Sequence, residues 1–229
     1  MCRRCVKFVP SERFAPGKVS DSMLAIATGF DLSLALTINN VVVAEQQLPL
    51  VKGHAEALVP EIAALMAPLG GPSLQPSRIV VEIGPGSFTG LRIGIAAARA
   101  LGLAWQARVE GVGSALLIAA EARAHMIAHG TAPDVTALVA LAAPRGQIWV
   151  EPVALRDLRS EASSQALSET EAINLARTYP IVVGSAASRL TDHDSAGWAH
   201  TPRARLAKDI PTALMTAPLP LYIRAPETD

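Results

Sequence analysis

Cysteine, charge and long apolar stretches are all scarce in this chain of 229 residues, and each shortage excludes a class of protein. The only two cysteines, Cys2 and Cys5, form a lone CxxC pair, so the chain lacks both the second pair of a zinc site and a disulfide framework. A chain without disulfides fits a cytoplasmic location. No uninterrupted apolar stretch reaches the ~18 residues that a membrane helix needs.

The charge balance also limits the partners that the chain can bind directly. Lysine plus arginine total 20 and aspartate plus glutamate total 20, so no net positive charge favours nucleic acid. Hydrophobic residues make up 50% of the chain, charged residues only 17%, and the mean hydropathy is +0.32. This composition predicts a large buried core together with an apolar surface patch that a partner covers.

The first 22 residues differ from the rest of the chain. They are basic, they contain Pro10 and Pro16, and they lack the periodicity of a helix or strand. We therefore predict that residues 1–22 are a disordered extension, or that the start site is assigned too early, since an apolar strand follows Met23 directly. On this prediction the segment is dispensable for folding and for partner binding.

From Met23 onward the pattern of apolar residues predicts alternating strands and helices. The first half contains three strands, a helix, a strand and a second helix, in this order: Leu24–Thr28, Asp31–Ile38, Val41–Gln46, His54–Ala67, Ile79–Ile83 and a helix ending near Trp105. This βββαβα order is the ribonuclease-H-like layout that actin-like ATPase folds contain in duplicate, and the second half repeats it more weakly. We predict an α/β protein with an N-terminal lobe at residues 23–110 and a C-terminal lobe with a C-terminal tail at residues 111–229.

A glycine-rich segment, IGPGSFTGLRIG from Ile83 to Gly94, joins the last strand of the first lobe to its second helix. It does not fit a P-loop, because Leu91 stands where the lysine should be, and its glycine spacing does not fit a dinucleotide-binding loop. We predict instead a structural turn in which Ser87 is the helix N-cap. The residues of this turn are Gly84, Pro85, Gly86 and Ser87.

Residues that could hold a metal or a cofactor are missing at the expected places. Actin-like ATPases usually carry an aspartate in a hairpin of each half, but the corresponding residues here are Ala27 and Ala142. Methyl groups provide no ligand for a divalent cation. His125 and His129 have i, i+4 spacing but no visible third ligand, which favours a position at the end of a helix. We predict no metal, no cofactor and no catalytic residue.

The second helix of the first lobe has an unusual stripe of small residues, namely Gly90, Gly94, Ala97 and Ala98, continued by Leu101. Glycine inside a helix costs ~1 kcal/mol relative to alanine, so a close approach of another backbone should compensate for it. The first helix carries Leu58, Ile62 and Leu65 on one side. From the pattern alone, these surfaces could pack on the sheet, on each other or on a second subunit.

Three segments resemble a known family. GPGSFTGLRIG, KGHAEALVP at residues 52–60 and PLYIRAPE at residues 220–227 resemble motifs of the TsaB/YeaZ family, and the similarity runs from Met23 to about Glu227. The sequence departs from the family at Ala27 and Ala142, where members commonly have an acid. The resemblance implies a cytoplasmic, non-catalytic subunit for threonylcarbamoyladenosine synthesis on tRNA.

The resemblance also implies partners. Members of the family pair with TsaD through the two helices of the N-terminal lobe, work with the ATPase TsaE, and meet tRNA through the complex. The partner interface would then comprise Leu58, Ile62, Leu65, Gly90, Gly94, Ala97, Ala98 and Leu101. Two alternatives stay open: a free-standing homodimer, and an actin-like small-molecule kinase or hydrolase that acts alone. Neither the stoichiometry nor weak nucleotide binding within a complex follows from the sequence.

The missing acids generate a first prediction. The isolated protein should bind ATP with magnesium only weakly and show no turnover, because Ala27 and Ala142 cannot hold the cation. Calorimetry with magnesium and ATP, together with a phosphate-release assay, measures both quantities. Magnesium-dependent hydrolysis that co-purifies with the chain and changes in Ala142→Arg would contradict this prediction.

Overall fold

The computed structural model describes residues 7–8, 17–50, 52–192 and 198–223, which form two α/β units. No helix in these ranges is long and apolar enough to cross a membrane. The strands are β1 (Lys7–Phe8), β2 (Gly17–Ala27), β3 (Leu32–Ile38), β4 (Val41–Leu48), β5 (Leu74–Gly84), β6 (Arg108–Gly113), β7 (Thr136–Ala142), β8 (Ile148–Ala154), β9 (Arg159–Ser160), β10 (Gln165–Leu167) and β11 (Ile181–Val183). The helices are α1 (His54–Met66), α2 (Phe88–Trp105), α3 (Ser114–Ala128), α4 (Glu169–Ala176) and α5 (Ala187–Leu190).

The first unit is built on a six-stranded sheet in the order β1-β4-β3-β2-β5-β6. Strands β2, β3 and β4 pair antiparallel, and β5 adds to β2 in parallel. The hairpin between β3 and β4 turns at Asn39 and Asn40, which both have positive φ, 49° and 60°. Asparagine tolerates this conformation better than most residues, so the predicted turn forms where the Asn-Asn pair indicated it.

Different segments of the chain pack on the two faces of this sheet. Helices α1 and α2 pack on the face that carries Leu24, Leu36 and Val81, and together they form the main core. The opposite face is covered by a 3₁₀ helix, Ala204–Asp209, that contacts β2 and β3. Because its Ala204 amide donates to the buried Ser33 hydroxyl at 3.0 Å, this late segment is anchored in the first unit.

The second unit repeats the layout on a smaller scale. Its path of strands is β10-β8-β7-β11, with β7–β8–β10 antiparallel and β11 parallel to β7. Helices α4 and α5 pack on the face that carries Leu138 and Ala140. Ser168 and Glu171 form a capping box that starts α4. The prediction of duplicated βββαβα lobes in an α/β fold is therefore confirmed.

The predicted lobe boundary needs a correction in its C-terminal part. The first unit ends at Val112, close to the expected junction, but it also includes Arg203–Pro220, which the sequence analysis placed in the second lobe. Gly111 and Thr216 exchange two backbone hydrogen bonds of 2.7 and 3.0 Å, which hold this segment beside β6. The chain thus returns to the first unit at Arg203 and belongs to the second unit again from Leu221.

The predicted leader also needs a correction. Strand β2 begins at Gly17, six residues before the expected start at Met23, and Val19 packs against the core. Ser22 and Ser77 bond to each other through both hydroxyls, which ties this part of β2 to β5. In addition, Lys7–Phe8 pairs with β4. The predicted disorder is wrong for these residues, whereas residues 1–6, with Cys2 and Cys5, and residues 9–16 lie outside the described ranges.

This packing predicts the effect of two nested truncations. A chain that starts at residue 23 should unfold with a free energy about 2 kcal/mol or more below that of a chain that starts at residue 17. The loss comprises the Ser22–Ser77 hydrogen bonds, at ~0.5–1.5 kcal/mol each, and the packing of Val19. Urea denaturation of the two truncated chains measures the difference, and equal stabilities would contradict it.

Candidate functional site

The glycine-rich segment forms a turn that joins β5 to α2. Gly84 has φ of +115°, which a residue with a side chain rarely adopts, so this glycine lets the backbone turn out of the strand. The Ser87 hydroxyl accepts a 3.2 Å hydrogen bond from the Gly90 amide and caps α2. Ser87 is therefore the N-cap of α2.

A second turn, Thr28–Gly29 after β2, lies directly against the glycine-rich segment. The Ser87 amide donates to the Gly29 carbonyl at 2.7 Å, and the Thr28 hydroxyl donates to the Gly90 carbonyl at 2.9 Å. A Cβ atom on Gly86 would lie 2.8 Å from the Gly29 Cα, so only glycine fits there. Since internal partners use the Ser87 and Gly90 amides, the loop does not present them to a phosphate.

A buried carboxylate, that of Glu82 on β5, holds the Thr28–Gly29 turn. Its Oε2 atom accepts hydrogen bonds from the Thr28 amide at 2.8 Å and from the Gly29 amide at 2.7 Å, and the residue has no exposed surface. Glu82 was not among the predicted site residues, because the pattern of Ile79–Ile83 indicates only a buried apolar strand. The available signal was a single acid inside that apolar run, which requires a partner when buried.

The two positions where an acid was expected lie at the ends of equivalent strands. Ala27 is buried at the end of β2, and Ala142 is exposed at the end of β7, where its amide donates to the Ser185 hydroxyl at 2.9 Å. Neither residue can bind a cation. Among the described residues, no group of three or more histidine, cysteine, aspartate or glutamate side chains is placed to hold a metal ion.

The glycine stripe of α2 faces its own sheet, which corrects the predicted interface. A Cβ on Gly90 would lie 2.1 Å from the Thr28 carbonyl oxygen, and one on Gly94 would lie 2.3 Å from the Thr28 hydroxyl. Ala98 is fully buried beside them. The glycines do permit a close approach, but the segment that approaches them is the Thr28–Gly29 turn of the same unit.

The predicted residues of α1 are also internal. Leu58, Ile62 and Leu65 are buried in the main core, so the prediction that they contact a partner is wrong. Ala97 and Leu101 of α2 are only partly buried against that core, and their role at an interface stays a prediction. Pro60 lies inside α1, beyond its first turn.

The opposite sides of the two helices are exposed, and they carry apolar residues together with the charged Glu56, Arg92 and Arg99. Val59 on α1 is 60% exposed and Leu103 on α2 is 85% exposed. Alanines at helical spacing extend both positions, and we name the combined surface the outer face: Val59, Ala63, Ala96, Ala100 and Leu103. Because α1 and α2 contact each other, the outer face belongs to one pair of neighbouring helices.

An aromatic residue and a cation lie on the first turns of α2, the helix that carries most of the outer face. Phe88 is 53% exposed, and the Arg92 guanidinium carbon lies 3.7 Å from the centre of its ring. A cation over an aromatic face is attracted by the ring quadrupole. This pair keeps a large apolar ring in place at the surface, where water alone would not favour it.

The histidine pair that the sequence analysis singled out lies at the end of a helix, as predicted. His125 is in the last turn of α3 and His129 is its C-cap, with their rings stacked at 4.1 Å. The Trp198 ring also stacks on the His125 ring, and the centres of these two rings are 4.5 Å apart. Of the predicted tail motif, Leu221 and Tyr222 are exposed, and residues 224–227 lie outside the described residues.

Comparison with known proteins identifies the family of this chain. Residues 46–189, more than half of the chain, match the family described as TsaD: tRNA N6-adenosine threonylcarbamoyltransferase. A curated relative from Bacillus subtilis (strain 168), named tRNA threonylcarbamoyladenosine biosynthesis protein TsaB, is 34% identical over 103 residues. The chain belongs to this family, in its TsaB/YeaZ branch. The aligned part covers 44% of the chain and 45% of the Bacillus relative, so it spans less than half of either protein.

Solved structures agree on the fold of the family. YeaZ from Pseudomonas aeruginosa has a TM-score of 0.68 at 20% identity, and the match covers 89% of this chain and all of that one. A second structure, described as an uncharacterized protein with similarity to peptidase YeaZ from Pseudomonas aeruginosa, gives the same TM-score at 19% identity and the same coverage. At these identities the comparison demonstrates the shared fold alone.

The inward-facing stripe predicts the result of lengthening Gly94. Gly94→Ala should lower the free energy of unfolding by up to about 2 kcal/mol net, because the added methyl group collides with the Thr28 side chain at an overpacking cost of about 1–3 kcal/mol. This overpacking should exceed the ~1 kcal/mol that alanine gains in helix propensity. Ala96→Leu on the exposed side of α2 is the control and should change stability by no more than ~0.5 kcal/mol. A more stable Gly94→Ala variant would contradict the assignment of the stripe.

Proposed function

We propose that this protein is a non-catalytic subunit for the synthesis of tRNA threonylcarbamoyladenosine and that it pairs with a TsaD-like catalytic subunit. Membership of the TsaB/YeaZ branch and the name of the Bacillus relative support the pathway. The resemblance of the glycine-rich motif to that branch supports the pairing. In this proposal the product is the N6-threonylcarbamoyl group on the adenosine 3′ of the anticodon.

The outer face is the observation that carries the proposal. It presents Val59 and Leu103 to solvent between alanines, on two helices whose other sides are already buried in the core. Apolar area of this kind tends to mark an interaction site, and full burial of a valine or leucine side chain stabilises a complex by ~1.5–3 kcal/mol. The alanine side chains are small, so the helices of a partner can approach closely.

The chemistry of the first unit supports a non-catalytic role. Ala27 and Ala142 provide no ligand for a cation, and internal hydrogen bonds use the Ser87 and Gly90 amides of the glycine-rich turn. In our proposal the TsaD-like subunit therefore supplies the metal and the residues that contact the substrate. A TsaE-like ATPase supplies ATP hydrolysis to the complex.

The charge balance supports an indirect relation to tRNA. With 20 basic and 20 acidic residues, the chain has no excess of positive charge to offer to a phosphate backbone. We propose that tRNA binds to the assembled complex, mainly through other subunits. When the partner is absent, the outer face would also allow a second copy of this chain to associate, as a homodimer.

A charge placed on the outer face tests the proposal. Val59→Arg should abolish binding to the TsaD-like partner or weaken it at least ~100-fold, because a longer, charged side chain would have to lose its water within an apolar contact. Ile127→Arg on α3 is the matched control, since it replaces another exposed apolar helix residue, 54% exposed, in the other unit. Both variants should melt like the natural chain, because neither side chain belongs to a core.

Affinity measured by titration of the purified partner separates the possible outcomes. Loss of binding in Val59→Arg alone supports the outer face as the docking surface. Equal affinity for the natural chain and both variants would reject that surface. No binding of the natural chain to the partner, combined with a dimer that Val59→Arg dissociates, would favour self-association instead.

A further inference from the structure

Within the described part of the chain, Glu82 is the most deeply buried acid, and the proposed function does not use it. The residue has no exposed surface, and its carboxylate accepts the hydrogen bonds of two successive backbone amides, those of Thr28 and Gly29. A buried carboxylate is costly unless it is well bonded. An acid in the middle of an apolar strand is therefore expected to have a specific task.

Glu82 lies beside Ala27, which is one of the two positions where an acid was expected. Strands β2 and β5 run parallel with Ile26 opposite Val81, so the next positions in register are Ala27 and Glu82. Side chains at these two positions point to the same face of the sheet, because successive residues of a strand alternate between faces. Ala27 also directly precedes the turn that Glu82 holds.

Gly29 is matched to this arrangement. A Cβ at that position would lie 2.7 Å from the Glu82 Oε1 atom and 3.0 Å from the carboxyl carbon. The φ of Gly29 is not in the left-handed region, so the glycine is required by the carboxylate and not by the backbone. Gly29 thus leaves room for the Glu82 carboxylate, which lies beside Ala27 in the register of β2 and β5.

Hydrogen bonds also join the Thr28–Gly29 turn to the start of α2. Its Gly29 carbonyl accepts from the Ser87 amide, and its Thr28 hydroxyl donates to the Gly90 carbonyl. We propose that Glu82 is a positioning residue: it supplies from β5 the carboxylate that Ala27 does not supply from β2, and it fixes the Thr28–Gly29 turn against the start of α2.

A double-mutant cycle on the isolated chain tests this assignment. The variants are Glu82→Ala, Ala27→Asp and the combination of both, with Glu82→Gln as the conservative control. Both hydrogen bonds end on one oxygen, Oε2, so the glutamine amide oxygen can accept both of them. The readouts are the melting temperature and the hydrogen exchange of the Thr28 and Gly29 amides, neither of which needs a partner.

The assignment predicts opposite effects of Ala27→Asp in the two backgrounds. Glu82→Ala should accelerate exchange of both amides at least ~10-fold, and Glu82→Gln should change it by less than ~3-fold. Ala27→Asp should lower the melting temperature when Glu82 is present, because two carboxylates then face each other. It should raise the melting temperature and restore slow exchange when residue 82 is alanine.

Two results would overturn the assignment. One is unchanged exchange of the Thr28 and Gly29 amides in Glu82→Ala. The other is an additive cycle, in which Ala27→Asp destabilises both backgrounds equally. If Glu82→Ala does not fold, recovery of a folded chain by adding Ala27→Asp supports the assignment, and failure to recover rejects it. None of these outcomes depends on the proposed partner, so they leave the docking prediction to its own test.

Discussion

The contact between the Thr28–Gly29 turn and the first turns of α2 is the constraint on which the first unit depends. The two backbones approach so closely that a Cβ atom at position 86, 90 or 94 would lie within 3 Å of the turn. Hydrogen bonds from Ser87 and Thr28 cross the contact, and the Glu82 carboxylate closes it from β5. The glycines of this segment therefore serve packing within the chain, and no bound phosphate is needed to explain them.

This contact also decides which side of α2 is available to a partner. Once Gly90, Gly94 and Ala98 are fixed against the sheet and the turn, the helix can present only its other side, with Ala96, Ala100 and Leu103, to solvent. Helix α1 is oriented in the same way by its buried leucines. The outer face is thus a consequence of internal packing.

The order of elements along the chain follows from a duplicated layout with one exception. Each unit begins with an antiparallel meander and adds a parallel strand, so each is a complete sheet with helices on at least one face. The exception is Arg203–Pro220, which leaves the second unit and covers the open face of the first sheet. Without that segment, the buried Ser33 and its neighbours on β3 would be exposed to water.

The amino-acid sequence by itself determined the elements, the duplicated layout and the glycine turn with its Ser87 cap. These features depend on residues that are close along the chain: apolar periodicity, the Asn39–Asn40 turn and a serine three residues before the amide that it caps. The same local signals placed His125 and His129 at the end of α3. A helical wheel likewise identified the stripe of small residues on α2, but it could not show what lies against that stripe.

Only the tertiary structure decided the remaining features, because each joins residues that are far apart in sequence. The stripe meets Thr28 about 62 positions earlier, Glu82 bonds a turn 54 positions away, and Ala204 bonds Ser33 across 171 positions. The early start of β2 is of the same kind, since its first residues are held by β5 and not by a periodicity of their own. Local patterns indicate which surfaces must be buried, whereas long-range packing selects what buries them and leaves the outer face exposed.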